Sequence, residues 1–270
     1  MRPVRVAAVQ LRSGPDAQEN REQISWQFDH CLRDLCDLVV LPEASQHSFG
    51  APGTSLAAGG EPLDGPFVSH LLTLAARHHT VIAAGMFEIS SPNELPYNTT
   101  VVVEPSGSVL AYRKIHLYDA LGFEESAGVR AGPIEPSEFV VTTISSIRVG
   151  IMTCFDLRFP EMSRVLVDRG AQVIALGAAW VPGPHKRSQL RTLLRARAIE
   201  STAYVVVASQ PGPSYCGATQ VIDPSGTVLI EAGSDEEAAV FASIDRSTVE
   251  SVRSSMPVLA SRRLSSLPCL

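Results

Sequence analysis

The stretch from Ile147 to Trp180, "IRVGIMTCFDLRFPEMSRVLVDRGAQVIALGAAW", decides the fold. It opens with an apolar run of strand length that stops at Cys154. Pro160 suits a first helical turn, Glu161 favours the positive end of that helix, and Gly170 stops it after Arg169. "AQVIALGAAW" (171–180) then returns to a buried strand. Strand, helix and strand in this order, with near-continuous apolar strands, form a parallel unit whose sheet is covered on both faces.

Working outward, a basic helix (about 186–199), a strand (202–210) and a hairpin (219–232) continue the series. The same order occurs earlier in the chain. "VRVAAVQL" (4–11) is a strand, and Ile24, Phe28, Cys31, Leu32 and Leu35 recur at helical spacing. A strand (37–43), a helix (about 65–79), a strand (80–88) and a hairpin (97–114) follow. The hairpins turn at Glu104-Pro105-Ser106-Gly107 and Asp223-Pro224-Ser225-Gly226, and each continues with a hydroxyl residue, Val and Leu. This is a pseudo-repeat. Two such sheets pack face to face with helices outside, which predicts one α/β domain over residues 1–270 built as α-β-β-α layers.

Composition narrows the function classes. Lys and Arg total 22 against 28 Asp and Glu, a formal charge of -6, so no global basic field recruits nucleic acid or anionic lipid. No apolar run approaches the roughly 20 residues of a membrane span. Five cysteines (Cys31, Cys36, Cys154, Cys216, Cys269) are odd in number and contain no CxxC pair, which argues against a disulfide framework or a structural zinc site. The expectation is a cytoplasmic protein acting on a small molecule.

Reactive groups of α/β sheets gather at the carboxyl ends of strands. Glu43 follows "LVVLP", Lys114 follows "VLAYR" and Cys154 follows "VGIMT". Together they make a working nucleophile: a thiol titrating near 8.5 needs a base or a positive field at neutrality, a carboxylate takes the proton, and an ammonium holds charge. The residues alone also leave open a Cys-His pair using His47, His116 or His185.

"LPEAS", "YRKIHLYD", "CFDLRFPE" and "LLRARAIE" together resemble the nitrilase, or carbon-nitrogen hydrolase, superfamily over nearly the whole chain. The resemblance implies a four-layer α-β-β-α sandwich, hydrolysis of a nonpeptide carbon-nitrogen bond through a thioester, and no metal or organic cofactor. It assigns Glu43 as general base, Lys114 as oxyanion stabiliser and Cys154 as nucleophile. In "GFEES" it points to Glu125 as a second glutamate, ahead of Glu124. In that scheme the backbone N–H of Phe155 completes the oxyanion site. Asp156 and Arg158, just after the nucleophile, are expected to pair and fix the turn, with substrate contact as the alternative.

Within the superfamily, "KIHLYDALGFEES", "AAWVPGPHKRSQLRTLLRARAIE" and "MPVLASRR" are most similar to deaminated-glutathione amidases and ω-amidases. Departures are Phe155 where many relatives carry tyrosine, "GPHKRSQL" without the acidic residue that often follows the lysine, and Thr219 in place of serine. The implied substrate is a small carboxylate-bearing amide, with Lys186 and Arg187 as candidates for its acid end. N-carbamoyl amide hydrolysis, aliphatic nitrile hydrolysis and a noncatalytic binding protein on the same fold are the alternatives. An apolar tail from about residue 250, with Met256, Pro257, Val258 and Leu259, points to a homodimer or higher homo-oligomer.

Overall fold

Neighbouring residues of the first strand, β1 (Val4–Gln10), serve different cores. Ala7 and Val9 pack with Ile24, Phe28 and Leu71, whereas Val6 and Ala8 join a core that also holds Ile151, Leu176 and Val206. The period of two puts one face of the strand against helices and the other against a second sheet. Val101 and Val103 likewise face away from Val102.

The computed structural model describes residues 2–32, 36–50, 55–91 and 94–264. Leu35 and Cys269 lie outside them. After β1 come α1 (Ala17–His30), β2 (Leu38–Val40), α2 (Leu56–Gly59), α3 (Pro66–His78), β3 (Val81–Glu88), β4 (Tyr97–Val103) and β5 (Val109–Arg113). A short ribbon of β6 (Asp119–Ala120) and β7 (Phe123–Glu124) leads to β8 (Val141–Ile144), β9 (Ile147–Thr153), α4 (Pro160–Asp168), β10 (Val173–Ala178), α5 (Lys186–Ser201) and β11 (Tyr204–Ser209). β12 (Gln220–Ile222), β13 (Val228–Glu231), β14 (Ala238–Ile244) and α6 (Arg246–Ser255) complete the described chain.

Local signals explain the helix ends. Asp16 caps α1 by accepting from the Gln18 and Glu19 N–H groups. That helix stops at His30, so Cys31 and Leu32 follow it rather than extend it. Pro66 and Pro160 open α3 and α4, and Gly170 at φ +89 closes the turn after α4.

The sheets have the order β14-β1-β2-β3-β4-β5 and β13-β12-β11-β10-β9-β8. In each, three strands run parallel and a hairpin adds two antiparallel ones. The two hairpin turns share one geometry: Gly107 at φ +92 and Gly226 at φ +86 donate to Glu104 and Asp223 at 3.0 and 2.9 Å. α1 and α3 cover the first sheet, and α4 and α5 cover the second. The four-layer α-β-β-α sandwich of a doubled unit is therefore present.

Two strands carry no clear signal in the sequence. β14 pairs antiparallel with β1 from Val4↔Ile244 to Gln10↔Ala238, and β8 pairs with β9. Each half of the chain thus gives its last strand to the other half's sheet. Beyond β14, Arg253 of α6 donates to the Thr202 and Ala171 carbonyls, Leu259 packs on the main core, and Arg262 pairs with Asp168. Arg253, Leu259 and Arg262 thus pack on their own subunit, whereas Met256 stays 60% exposed. Among the described residues no helix is long and apolar enough to cross a membrane.

Candidate active site

Glu43 leaves β2 by a path that crosses the space between the sheets. A methyl group on Gly85 of β3 would lie 2.5 Å from the Ala44 nitrogen, and one on Gly177 of β10 would lie 2.8 Å from the Glu43 nitrogen. Both distances are shorter than van der Waals contact, so only glycine at the two positions lets this backbone through. Ala44 then takes φ +58, a left-handed conformation that turns the chain. Gln210, at the end of β11, holds the Glu43 carbonyl at 2.9 Å.

Lys114 follows β5, where its backbone N–H still pairs with the Asn98 carbonyl of β4 at 2.8 Å. Its Nζ donates to Glu43 Oε1 at 2.8 Å and to Glu125 Oε1 and Oε2 at 3.0 and 2.8 Å. Lys114 and Glu43 are each 1% exposed. Burial alone would lower the ammonium's pKa, but the carboxylates of Glu125 and Glu43, with Cys154 beside them, raise it well above the ordinary lysine value. Glu125 sits in a single 3-10 turn and also accepts the Tyr118 N–H at 2.6 Å. Its neighbour Glu124 is exposed on β7.

Asn98 completes the cluster, and the sequence reading missed it. Its Nδ2 donates to Glu43 Oε1 and to Glu125 Oε1, both at 2.8 Å, so one neutral amide ties the two carboxylates together. An asparagine within the threonine- and valine-rich run "YNTTVVV" runs against strand propensity, and that was the available signal.

Cys154 ends β9 at φ +47 and begins a 3-10 helix (Cys154–Arg158). A left-handed non-glycine residue is strained and needs support from its surroundings. Asp156 supplies it. That carboxylate, wholly buried, accepts the Thr153 N–H at 3.0 Å, the Tyr112 hydroxyl at 2.7 Å, and the N–H and Nδ1 of His116 at 3.3 and 2.7 Å. The expected Asp156–Arg158 pair is not formed. Arg158 donates to Gln189 and lies over the Trp180 ring at 4.6 Å, because the buried Asp156 is already occupied by four closer donors.

Burial pushes the Cys154 thiol well above its ordinary pKa; Glu43 adds to this, and Lys114 opposes it. This burial favours the neutral thiol over the thiolate. Phe155, in the first turn of the 3-10 helix, where a backbone N–H has no acceptor within the helix, lines the same cavity as Cys154.

These groups open into a cavity of about 310 Å³. Tyr118, Phe123, Phe155, Trp180, Val181 and Tyr215 form the aromatic and aliphatic part of its wall. Tyr118 meets Phe155 edge to face at 5.0 Å, and burial with nearby Glu43 and Cys154 pushes the Tyr215 hydroxyl up to about 12. Lys186 lines the cavity. Arg187 does not: its Nε donates to the Cys216 carbonyl at 3.0 Å, and its side chain is 43% exposed near Asp235. No histidine is among the lining residues. His116 is spent on Asp156 and His47 on the Ser48 carbonyl, so the Cys-His alternative finds no partner there.

Comparisons with known proteins show the family and the fold. Residues 5–254 match the carbon-nitrogen hydrolase family. The chain is 35% identical to the deaminated glutathione amidase of Escherichia coli O157:H7, covering 96% of this chain and 97% of that one. It is 33% identical to the deaminated glutathione amidase of Rattus norvegicus, covering 96% and 82%. Among solved structures, a carbon-nitrogen hydrolase superfamily protein of Xanthomonas campestris with an arsenic adduct in its active site superposes with a TM-score of 0.85 at 25% identity, over 98% of this chain and 99% of that one.

Proposed function

The chain belongs to the carbon-nitrogen hydrolase family, and from that premise we propose that it is a cysteine-dependent amidase releasing ammonia from the terminal amide of a small carboxylate-bearing ω-amide, deaminated glutathione or a close analogue. One observation carries the reading: a buried ammonium, Lys114, is held between two buried carboxyl groups at the foot of a cavity that also exposes a strained strand-end thiol.

The steps follow from charge. Cys154 Sγ bonds to the amide carbon while its proton passes to Glu43, which suits a thiol held neutral until attack. The carbonyl electron pair moves to oxygen, which the Phe155 N–H and the Lys114 charge stabilise. All three Nζ donors of Lys114 are aimed at carboxylate oxygens in the resting site, so Nζ gives up one oxygen of Glu125 as the oxyanion forms. Glu43 returns its proton to the nitrogen, the carbon-nitrogen bond breaks and ammonia leaves. Water then gives a proton to Glu43 and attacks the thioester, and the acid departs with Cys154 reprotonated. Glu125 holds Lys114 and, through it, the acceptor oxygen.

A panel of small amides assayed for ammonia tests this reading. One ammonia and one carboxylic acid per turnover are expected, with an acyl adduct on Cys154 in mass spectra of enzyme quenched with a slow substrate. Full activity in Cys154→Ala would remove the mechanism. Carbon dioxide released with the ammonia would move the substrate to the N-carbamoyl class, and binding without turnover of any amide would leave a noncatalytic protein.

A further inference from the structure

The chemistry at Cys154 leaves one charged group of the cavity without a task. Lys186, the first residue of α5, lines the cavity and is only 5% exposed. Its Nζ donates to the Tyr118 hydroxyl at 3.0 Å and lies 4.6 and 4.9 Å from the Tyr118 and Trp180 ring centroids. Among the described residues it forms no ion pair. Two aromatic faces and one neutral oxygen offset part of the cost of burying an ammonium, yet two of its three donors have no acceptor and its charge has no partner. Every other buried lysine or arginine of the site region is answered: Lys114 by two carboxylates, and Arg197 by Glu200 and the Leu157 carbonyl.

The opposite end of the cavity has the reverse balance. Glu43 and Glu125 supply two carboxyl groups against the single Lys114 ammonium, so a substrate carboxylate is disfavoured there. Tyr118 spans the two ends. Its backbone N–H is bonded to Glu125, its hydroxyl to Lys186, and its ring stands edge-on to Phe155 between them. The cavity therefore has a polarity: reaction at one end, an unanswered positive charge at the other, and an aromatic and aliphatic wall between.

We propose that Lys186 receives the free carboxylate of the substrate and so orients it, with the amide delivered to Cys154 and the anionic group at the far end. The inference rests on the amidase reading and adds the residue and the charge placement that set specificity. It selects amides whose carboxylate is separated from the scissile bond by a flexible chain and disfavours those with the charge beside the amide, which would meet Glu43 and Glu125. Arg187, turned toward Cys216 and Asp235, takes no part.

Steady-state kinetics on glutaramate, valeramide and oxamate test the assignment. Glutaramate carries a distal carboxylate, valeramide replaces it with a methyl group, and oxamate places it next to the amide. Lys186→Met is expected to raise KM for glutaramate about tenfold to a hundredfold, the range of a charge-assisted hydrogen bond, with kcat little changed and valeramide unaffected. Lys186→Arg is expected to recover most of the loss. Oxamate is expected to be poor for the native enzyme and no poorer for Lys186→Met. Equal effects on glutaramate and valeramide, or none on either, overturn the subsite. Lys186→Gln and thermal melts of each variant guard against misfolding as the cause. Calorimetry of glutaramate in a Cys154→Ala background, with and without Lys186→Met, reads binding free of turnover. Glutaramate bound through Lys186 but never hydrolysed by the native enzyme would keep the subsite and discard the amidase reading, whereas hydrolysis of both amides with Lys186 irrelevant would do the reverse.

Discussion

Asn98 donates through Nδ2 to Glu43 Oε1 at 2.8 Å from a wholly buried position on β4, and the same nitrogen reaches Glu125. A neutral donor there holds two carboxyl groups close without adding charge, which is what a site with only one ammonium requires.

Asn98→Asp keeps the shape and replaces the donor with a third carboxyl. Its pKa in the folded state must rise, because burial and two neighbouring carboxylates oppose its ionisation. The folded state then holds this proton more tightly than the unfolded chain does. The variant is expected to be most destabilised above the ordinary aspartate range near pH 3.9 and to regain stability relative to the native protein as pH falls. Thermal melts from pH 4 to 8 check the sign; a destabilisation that grows toward acid pH would contradict it.

Glu43→Gln separates proton transfer from thiol reactivity. Glu43 is one of the groups that hold the Cys154 pKa up, and Lys114 opposes it. Removing the carboxylate is expected to abolish turnover while lowering the thiol pKa, so alkylation of Cys154 by iodoacetamide at pH 7 should become faster in the dead variant than in the native enzyme. A slower alkylation would show that Glu43 acts on this thiol mainly as its proton acceptor, and an unchanged rate would show that it does not act on it.

Tyr112→Phe tests the support of the nucleophile turn. The change leaves the buried Asp156 with its Thr153 and His116 donors only. A cost of about 1–2 kcal/mol in denaturant unfolding is expected, with kcat reduced and KM for amides little changed, since Tyr112 does not line the cavity. An unchanged kcat would mean that the Cys154 conformation does not depend on this bond.

Gly85→Ala and Gly177→Ala probe the passage of Glu43 between the sheets. Each added methyl would meet backbone at 2.5–2.8 Å, where no side-chain rotation gives relief. Losses of about 1–3 kcal/mol in stability are expected together with loss of activity. Gly233→Ala, whose methyl meets nothing within 4 Å, is the control and is expected to be silent.

Self-association is expected to use apolar surface near the chain end, where Met256 is 60% exposed beyond α6. Light scattering at micromolar concentration is expected to give at least a dimer, and Met256→Glu is expected to weaken it. A monomer in both cases would assign the tail wholly to its own subunit.

The doubled strand-helix order, the two matching Pro-Ser-Gly turns and the positions of Glu43, Lys114 and Cys154 at strand ends are local properties, and the sequence alone determined them. Apolar runs set which strands are buried on both faces, and a polar residue ending such a run marks a site. Tertiary structure decided what depends on residues far apart in the chain. The exchange of β8 and β14 between halves is a pairing such as Val4 with Ile244, which no local pattern encodes. Asp156 took Tyr112 and His116 rather than the neighbouring Arg158, because a buried carboxylate is satisfied by whichever donors the packed core brings within reach. Lys186 and Arg187 are adjacent in sequence and equal in charge, yet a helix turns successive residues about 100° apart. One entered the cavity and the other went to the Cys216 carbonyl, and only the placement of α5 against Tyr118 and Trp180 could choose between them.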